Sequence, residues 1–211
     1  MERSFFLPPA DEVAPRLLGS RLTVQSAEGP VAIRITEVEA YHGVGVPGPY
    51  DPGSHSRDRM TSRNASMFGP PGHAYVYLSY GIHFAINLVC SPEGAASGVL
   101  LRAGEVVSGL DLAHHRRGRR DGARSVPFNQ LARGPGNLGQ ALGVTRAIHD
   151  GLDVFAEPFD LQLAENALEH ISSGPRVGVS GVAGGTGYPW RFWVAGDRTV
   201  SAYRPGRNVN H

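Results

Sequence analysis

Along residues 31–41 apolar and polar positions alternate, which is the pattern of a β-strand. On such a strand Ile33, Ile35, Glu37, Glu39 and Tyr41 line one side, and Thr36, Val38 and Ala40 line the other. A shorter strand-like run at 21–25 precedes it. The intervening Ala27-Glu28-Gly29-Pro30 predicts a hairpin. Residues 11–18 read as a short helix stopped by Gly19. Residues 73–79 and 82–89 form a second predicted hairpin, with Tyr80 and Gly81 at its turn and Tyr75 and Tyr77 on one face. Further along, the pattern predicts a strand at 98–103, a helix at 105–116 and a short helix at 137–142 after Gly134-Pro135-Gly136. Strands follow around Leu161, Val177 and 191–194. Residues 42–72 are a long polar loop with one helical turn near 61–66; a loop of that length inside a domain is functional or disordered.

Composition sharpens this picture. With 28 glycines and 16 prolines in 211 residues, short elements joined by many turns are favoured over a helical bundle. There is no internal repeat and no clean linker. The expectation is a single α+β domain over residues 1–211, with a mostly antiparallel sheet and flanking helices. No apolar run reaches the ~18 residues of a membrane helix, and the N-terminus lacks a signal-peptide core. Cys90 stands alone, so neither an internal disulfide nor a Cys-rich zinc site is available. These features predict a soluble cytoplasmic protein that needs no metal or cofactor.

All 20 basic residues are arginine. The missing lysine excludes Schiff-base chemistry on a side chain, a P-loop lysine and a pyridoxal-phosphate aldimine. The net charge is +1, so any surface that binds nucleic acid must be a local one. Gly43-Val44-Gly45-Val46-Pro47-Gly48 imitates a dinucleotide-binding loop, but Pro47, Pro49 and Pro52 prevent the helix such a site requires. Gly178-Val179-Ser180-Gly181 falls one residue short of a nucleophile elbow.

Three segments carry candidate chemistry. Glu37 and Glu39 continue an apolar row; if that face is buried, they need partners or a task. Tyr80 at a hairpin tip suits stacking on a base or a partner. His55-Ser56-Arg57-Asp58-Arg59, with Arg63 behind it, mixes arginines with hydroxyls as phosphate contacts require. Arg102 ends the apolar run Val99-Leu100-Leu101 and should pair with a carboxylate. The 114–120 run of His and Arg is a surface that could add a salt-dependent DNA contact.

Taken together, these segments resemble the alkyladenine (methylpurine) DNA glycosylase family. The matching pieces are Glu37-Val38-Glu39-Ala40-Tyr41, Ser54-His55-Ser56-Arg57, Arg63-Asn64 and Met67 through Tyr77, then Tyr80-Gly81, Asn87 and Val99-Leu100-Leu101-Arg102. Gly134-Pro135-Gly136-Asn137-Leu138 and Arg176-Val177-Gly178-Val179 complete the set in the family's order. The resemblance implies a mixed domain with a curved sheet, whose protruding β-hairpin enters the DNA minor groove, and a monomer that acts on double-stranded DNA at the nucleoid. It implies that Tyr80 intercalates, that Tyr41, His55 and Tyr77 sandwich a flipped base, and that Asn87 discourages guanine. Glu39 matches the general base for a water, and Arg102 and the backbone of Val177 match the groups that help hold that water. Arg57, Arg59 and Arg63 are expected on the DNA. Two departures from the family pattern stand out: a longer stretch between Tyr41 and His55, and Asn137 where a lysine is expected.

The leading expectation is a monofunctional glycosylase that hydrolyses the N-glycosidic bond of a damaged purine. A non-catalytic lesion binder of the same fold would bind damaged DNA without cleaving it. A hydrolase using Glu37 and Glu39 on free nucleosides would not depend on duplex DNA.

Overall fold

The computed structural model describes residues 3–79, 81–118 and 125–209. In chain order the elements are α1 (Ala10–Leu17), β1 (Arg21–Val24), β2 (Val31–His42), β3 (Ala74–Ser79), β4 (His83–Val89), β5 (Ser97–Ser108), α2 (Leu110–Arg117), β6 (Ala132–Arg133), α3 (Pro135–Leu142), α4 (Arg146–His149), β7 (Phe159–Gln162), β8 (Ile171–Gly174) and β9 (Arg191–Val194). The architecture is α+β, as expected. The strands form one open sheet in the order β3-β4-β5-β2-β1-β7, with β6 on β5, β9 on β2 and β8 on β9. Every strand pairing among the described residues is antiparallel.

Helix α1 begins after Pro9, with Asp11 and Glu12 in its first turn, where carboxylates favour the helix dipole. It ends ahead of Gly19, which takes a left-handed φ of +86°. Its apolar face (Val13, Ala14, Leu17) packs into the core with Ile33, Ile35, Val38 and Ala40 of β2.

That last list overturns the simple alternation on β2. The β2–β5 register shifts between Ile35 and Glu37 and again between Glu37 and Val38, so a β-bulge interrupts the strand. Before it, Ile33 and Ile35 face the core; after it, Val38 and Ala40 do. Glu37, Glu39 and Tyr41 therefore lie on the face opposite Ile33 and Ile35, not in one row with them. The bulge coincides with a change of neighbour. β1 pairs with Val31–Arg34 of β2, and β9 takes over the same edge from Glu37 to Glu39.

Two other expectations need correction. Residues 105–108 continue β5 instead of opening a helix, because Glu105 pairs across the sheet with Arg34 (2.8 Å) and Val106 lies opposite Ile33. Gly109, at φ +74°, ends the strand; a Cβ there would fall 2.2 Å from the Pro30 carbonyl oxygen. The helix starts only at Leu110. Val177 is not in a strand: β8 lies at Ile171–Gly174, and Val177 follows in a turn with Gly178 at φ +72°. In the long polar loop the helical turn falls at Ala65–Phe68.

The β3–β4 hairpin is buried at its base and exposed towards its tip, where Leu78 is partly exposed and Ile82 is 72% exposed. Tyr80 lies outside the described residues, as do residues 119 and 120 of the basic run. No described helix is long and apolar enough to cross a membrane.

Candidate active site

The bulge delivers two carboxylates to the polar face of β2, and the structure treats them differently. Glu37 is fully buried and saturated. Its Oε1 accepts from Arg191 Nε (2.7 Å), Arg102 Nε (3.1 Å) and Ser201 Oγ (2.9 Å), and its Oε2 accepts from the Ser201 backbone N–H (2.7 Å). Glu39, also 0% exposed, is gripped by fewer groups. Its Oε1 accepts from the Val177 backbone N–H (2.6 Å). Its Oε2 accepts from the Tyr41 hydroxyl (2.8 Å) and from Arg102 Nη1 (3.4 Å). Arg102, on neighbouring β5, thus bridges both carboxylates, which explains how a guanidinium only 7% exposed is tolerated.

Beside Glu39 opens a cleft of about 480 Å³, whose lining includes Tyr41, His55, Tyr77, Asn87, Arg102 and Val177. All six are residues singled out in the sequence. Tyr75 and Tyr77 share a face of β3 and stack with ring centroids 5.4 Å apart. His55 comes from the long loop and meets Tyr77 edge-on at 4.7 Å, its Nδ1 3.4 Å from the Tyr75 hydroxyl. Burial, followed by the charges of Arg63 and Arg57, pushes the His55 imidazole below its ordinary pKa, so the ring is neutral at pH 7. Burial, reinforced by Glu39, holds the Tyr41 hydroxyl well above the usual phenol value, so it remains a donor. Asn87, on β4, is fixed by its side-chain N–H bond to the Tyr75 carbonyl (3.2 Å).

The three arginines of the loop are less uniform. Arg63 lines the cleft and reaches the Leu78 carbonyl (3.4 Å). Arg57 is held by Asp58 (3.1 Å) and the Pro52 carbonyl (2.9 Å), while Arg59 is exposed. All three line a neighbouring cavity of about 300 Å³ that shares His55, Arg63 and Tyr75 with the main cleft.

Alternation could not reveal two members of this neighbourhood. Asp51 lies in the irregular loop, and Arg176 stood only inside a matching motif. The structure joins them in a fully buried bidentate ion pair (2.6 and 2.7 Å). The Arg176 guanidinium carbon lies 4.5 Å from the centroid of the Tyr41 ring.

Comparison with known proteins places nearly the whole chain in one family. Residues 4–198 match the family described as Methylpurine-DNA glycosylase (MPG). A protein of Leifsonia xyli subsp. xyli is 52% identical over 202 residues, covering 96% of this chain and 92% of its own length. One of Streptomyces avermitilis is 49% identical over 208 residues (97% and 92%), and one of Corynebacterium jeikeium 47% over 220 (99% and 94%). Each of the three bears the name "Putative 3-methyladenine DNA glycosylase". The matched span runs from before α1 to beyond β9 and includes every residue that grips Glu39, and on that ground the chain belongs to the methylpurine-DNA glycosylase family.

Proposed function

We propose that the protein is a monofunctional DNA glycosylase that flips a damaged purine out of duplex DNA and hydrolyses its N-glycosidic bond with a water activated by Glu39. The observation that carries this reading is the grip on Glu39: a buried carboxylate held by Val177 N–H, Tyr41 and Arg102, all three of which line the cleft. Cleavage of a glycosidic bond passes through an oxocarbenium-like sugar, which a nearby carboxylate stabilises. Glu39 takes a proton from water as its oxygen bonds to C1′, and the base departs with the electrons of the C1′–N bond. A purine alkylated at ring N3 or N7 is a cation and leaves as a neutral base. A neutral lesion such as hypoxanthine needs protonation or hydrogen bonds as it leaves.

The base would stack between Tyr41 on one side and the His55–Tyr77 unit on the other; the neutral imidazole adds an aromatic surface without repelling a cationic base. Asn87, held in one orientation, would crowd a guanine 2-amino group. Arg102 is oriented by Glu37 and would help to hold the water. Tyr80 would fill the gap left by the flipped nucleotide, and Arg57, Arg59 and Arg63 would meet phosphates.

The test is release of free base from a duplex with one hypoxanthine or one 3-methyladenine analogue. Release without strand cleavage until alkali is added is expected, because no lysine is present to form the imine of a β-lyase. A protein that binds the lesion and never releases a base would be a binder instead.

Two further outcomes follow. Tyr80→Ala should weaken lesion-DNA binding by about tenfold, the scale of one lost base–aromatic stack; unchanged binding in a gel-shift titration would remove the wedge. Affinity should fall steeply with salt, and Arg59→Ala should reduce the log–log slope by about 1, one phosphate contact. A flat response would mean that these arginines do not touch DNA.

A further inference from the structure

Arg176 and Asp51 sit one step from two of the three contacts that position Glu39, the Val177 N–H and the Tyr41 hydroxyl. Arg176 Nη1 donates to Asp51 Oδ2 (2.7 Å) and to the Ala40 carbonyl (3.0 Å), between Glu39 and Tyr41 in the chain. Nη2 donates to Asp51 Oδ1 (2.6 Å) and to the Ala183 carbonyl (3.1 Å). Asp51 also accepts the backbone N–H groups of Gly53 (2.9 Å) and His42 (3.2 Å). The residue after Arg176 is Val177, whose N–H grips Glu39. Replacing a buried ion pair by apolar residues of like volume is often neutral or stabilising, so stability alone does not account for this pair.

Its position suggests another reason. The guanidinium lies over the Tyr41 ring at 4.5 Å. Tyr41 lines the cleft and Arg176 does not, so the cation packs on the ring from the protein side. A cation on one face of an aromatic ring draws on the electron density that would attract a second cation to the other face. A carboxylate seated bidentately on that guanidinium cancels its charge. Purines alkylated at ring N3 or N7 are cationic in DNA, whereas deaminated purines are neutral, so the state of this pair bears on one substrate class more than on the other.

We propose that Asp51 masks the charge of Arg176 so that the cleft face of Tyr41 can stack on a cationic alkylpurine, while the same pair fixes the Tyr41 ring and the Val177 N–H relative to Glu39. Neither residue touches the base; both act through Tyr41 and Val177 as positioning residues. The inference rests on the proposed stacking role of Tyr41.

The experiment compares single-turnover release of 3-methyladenine and of hypoxanthine from otherwise identical duplexes, using the full chain. Asp51→Asn unmasks the cation, and the 3-methyladenine to hypoxanthine rate ratio is expected to fall about tenfold. The double variant Asp51→Asn/Arg176→Gln removes both charges, and its ratio should return to within about twofold of wild type even if both rates are lower. A folded Asp51→Asn with an unmoved ratio overturns the inference, as does a double variant whose ratio stays low. Should Asp51→Asn fail to unfold cooperatively, Asp51→Ser, which removes the same charge and keeps Arg176, takes its place: an about tenfold fall in the ratio supports masking and an unmoved ratio overturns it. A merely structural pair would lower both rates in step. Wild type that releases neither base would overturn the proposed function, which is a different result from an unmoved ratio.

Discussion

Glu39→Gln should lower single-turnover base release by about 10²- to 10⁴-fold, the contribution of a positioned general base, while lesion-DNA affinity stays near that of wild type. The geometry makes the substitution clean. A glutamine carbonyl oxygen can still accept from Val177 N–H at the position of Oε1, and its amide can donate to the Tyr41 hydroxyl, which can reverse its role. Only the long Arg102 contact at 3.4 Å is lost, and Arg102 keeps Glu37 at 3.1 Å. The stability change should therefore be about 1.5–3 kcal/mol, the worth of a hydrogen bond to a charged group. Rapid-quench release assays beside thermal melts check both statements. A variant that releases base at the wild-type rate removes Glu39 as the base. If wild type and variant both bind the lesion and neither releases base, the enzyme reading gives way to a binder.

The strands near the site were legible because they obey local rules. Period-two alternation located β2 and both hairpins, and the run ending at Arg102 correctly implied a buried arginine paired with a carboxylate. The side of the sheet was not legible beyond Ile35. A bulge adds one residue to one strand against its partner, and it depends on which strands arrive at that edge, here β1 followed by β9 from far along the chain. Residues 105–116 misled for a similar reason. Their composition suits a helix, but Glu105 and Val106 are claimed by cross-strand partners on β2, and the break falls at Gly109. Arg176 and Asp51 are 125 residues apart and meet only in the folded chain, so no local pattern could pair them. Val177 acts through its backbone N–H, which carries no side-chain signature; only the family resemblance drew attention to it.

The same isosteric change two residues away should do the opposite of Glu39→Gln. Glu37→Gln removes the only carboxylate that Arg191 contacts among the described residues and the closer of the two that hold Arg102, leaving two guanidinium groups buried around a neutral amide. Removing one partner of a buried charge cluster costs about 3–5 kcal/mol, a large share of the roughly 5–15 kcal/mol that stabilises a typical domain. At this size the melting temperature should fall by about 10 °C. Below that transition the folded fraction should still release base, at a rate reduced only by a less firmly held Arg102. The pair of variants also decides against or for a nucleoside hydrolase that employs both carboxylates. Were Glu37 a second catalytic group, Glu37→Gln would stop base release while melting close to Glu39→Gln. Glu37 instead is held by Arg191 and Ser201, which do not line the cleft, and shares only Arg102 with it, whereas all three groups that hold Glu39 line the cleft. A carboxylate held from the side away from the cleft is placed to hold Arg102 against Glu39 and not to meet a substrate.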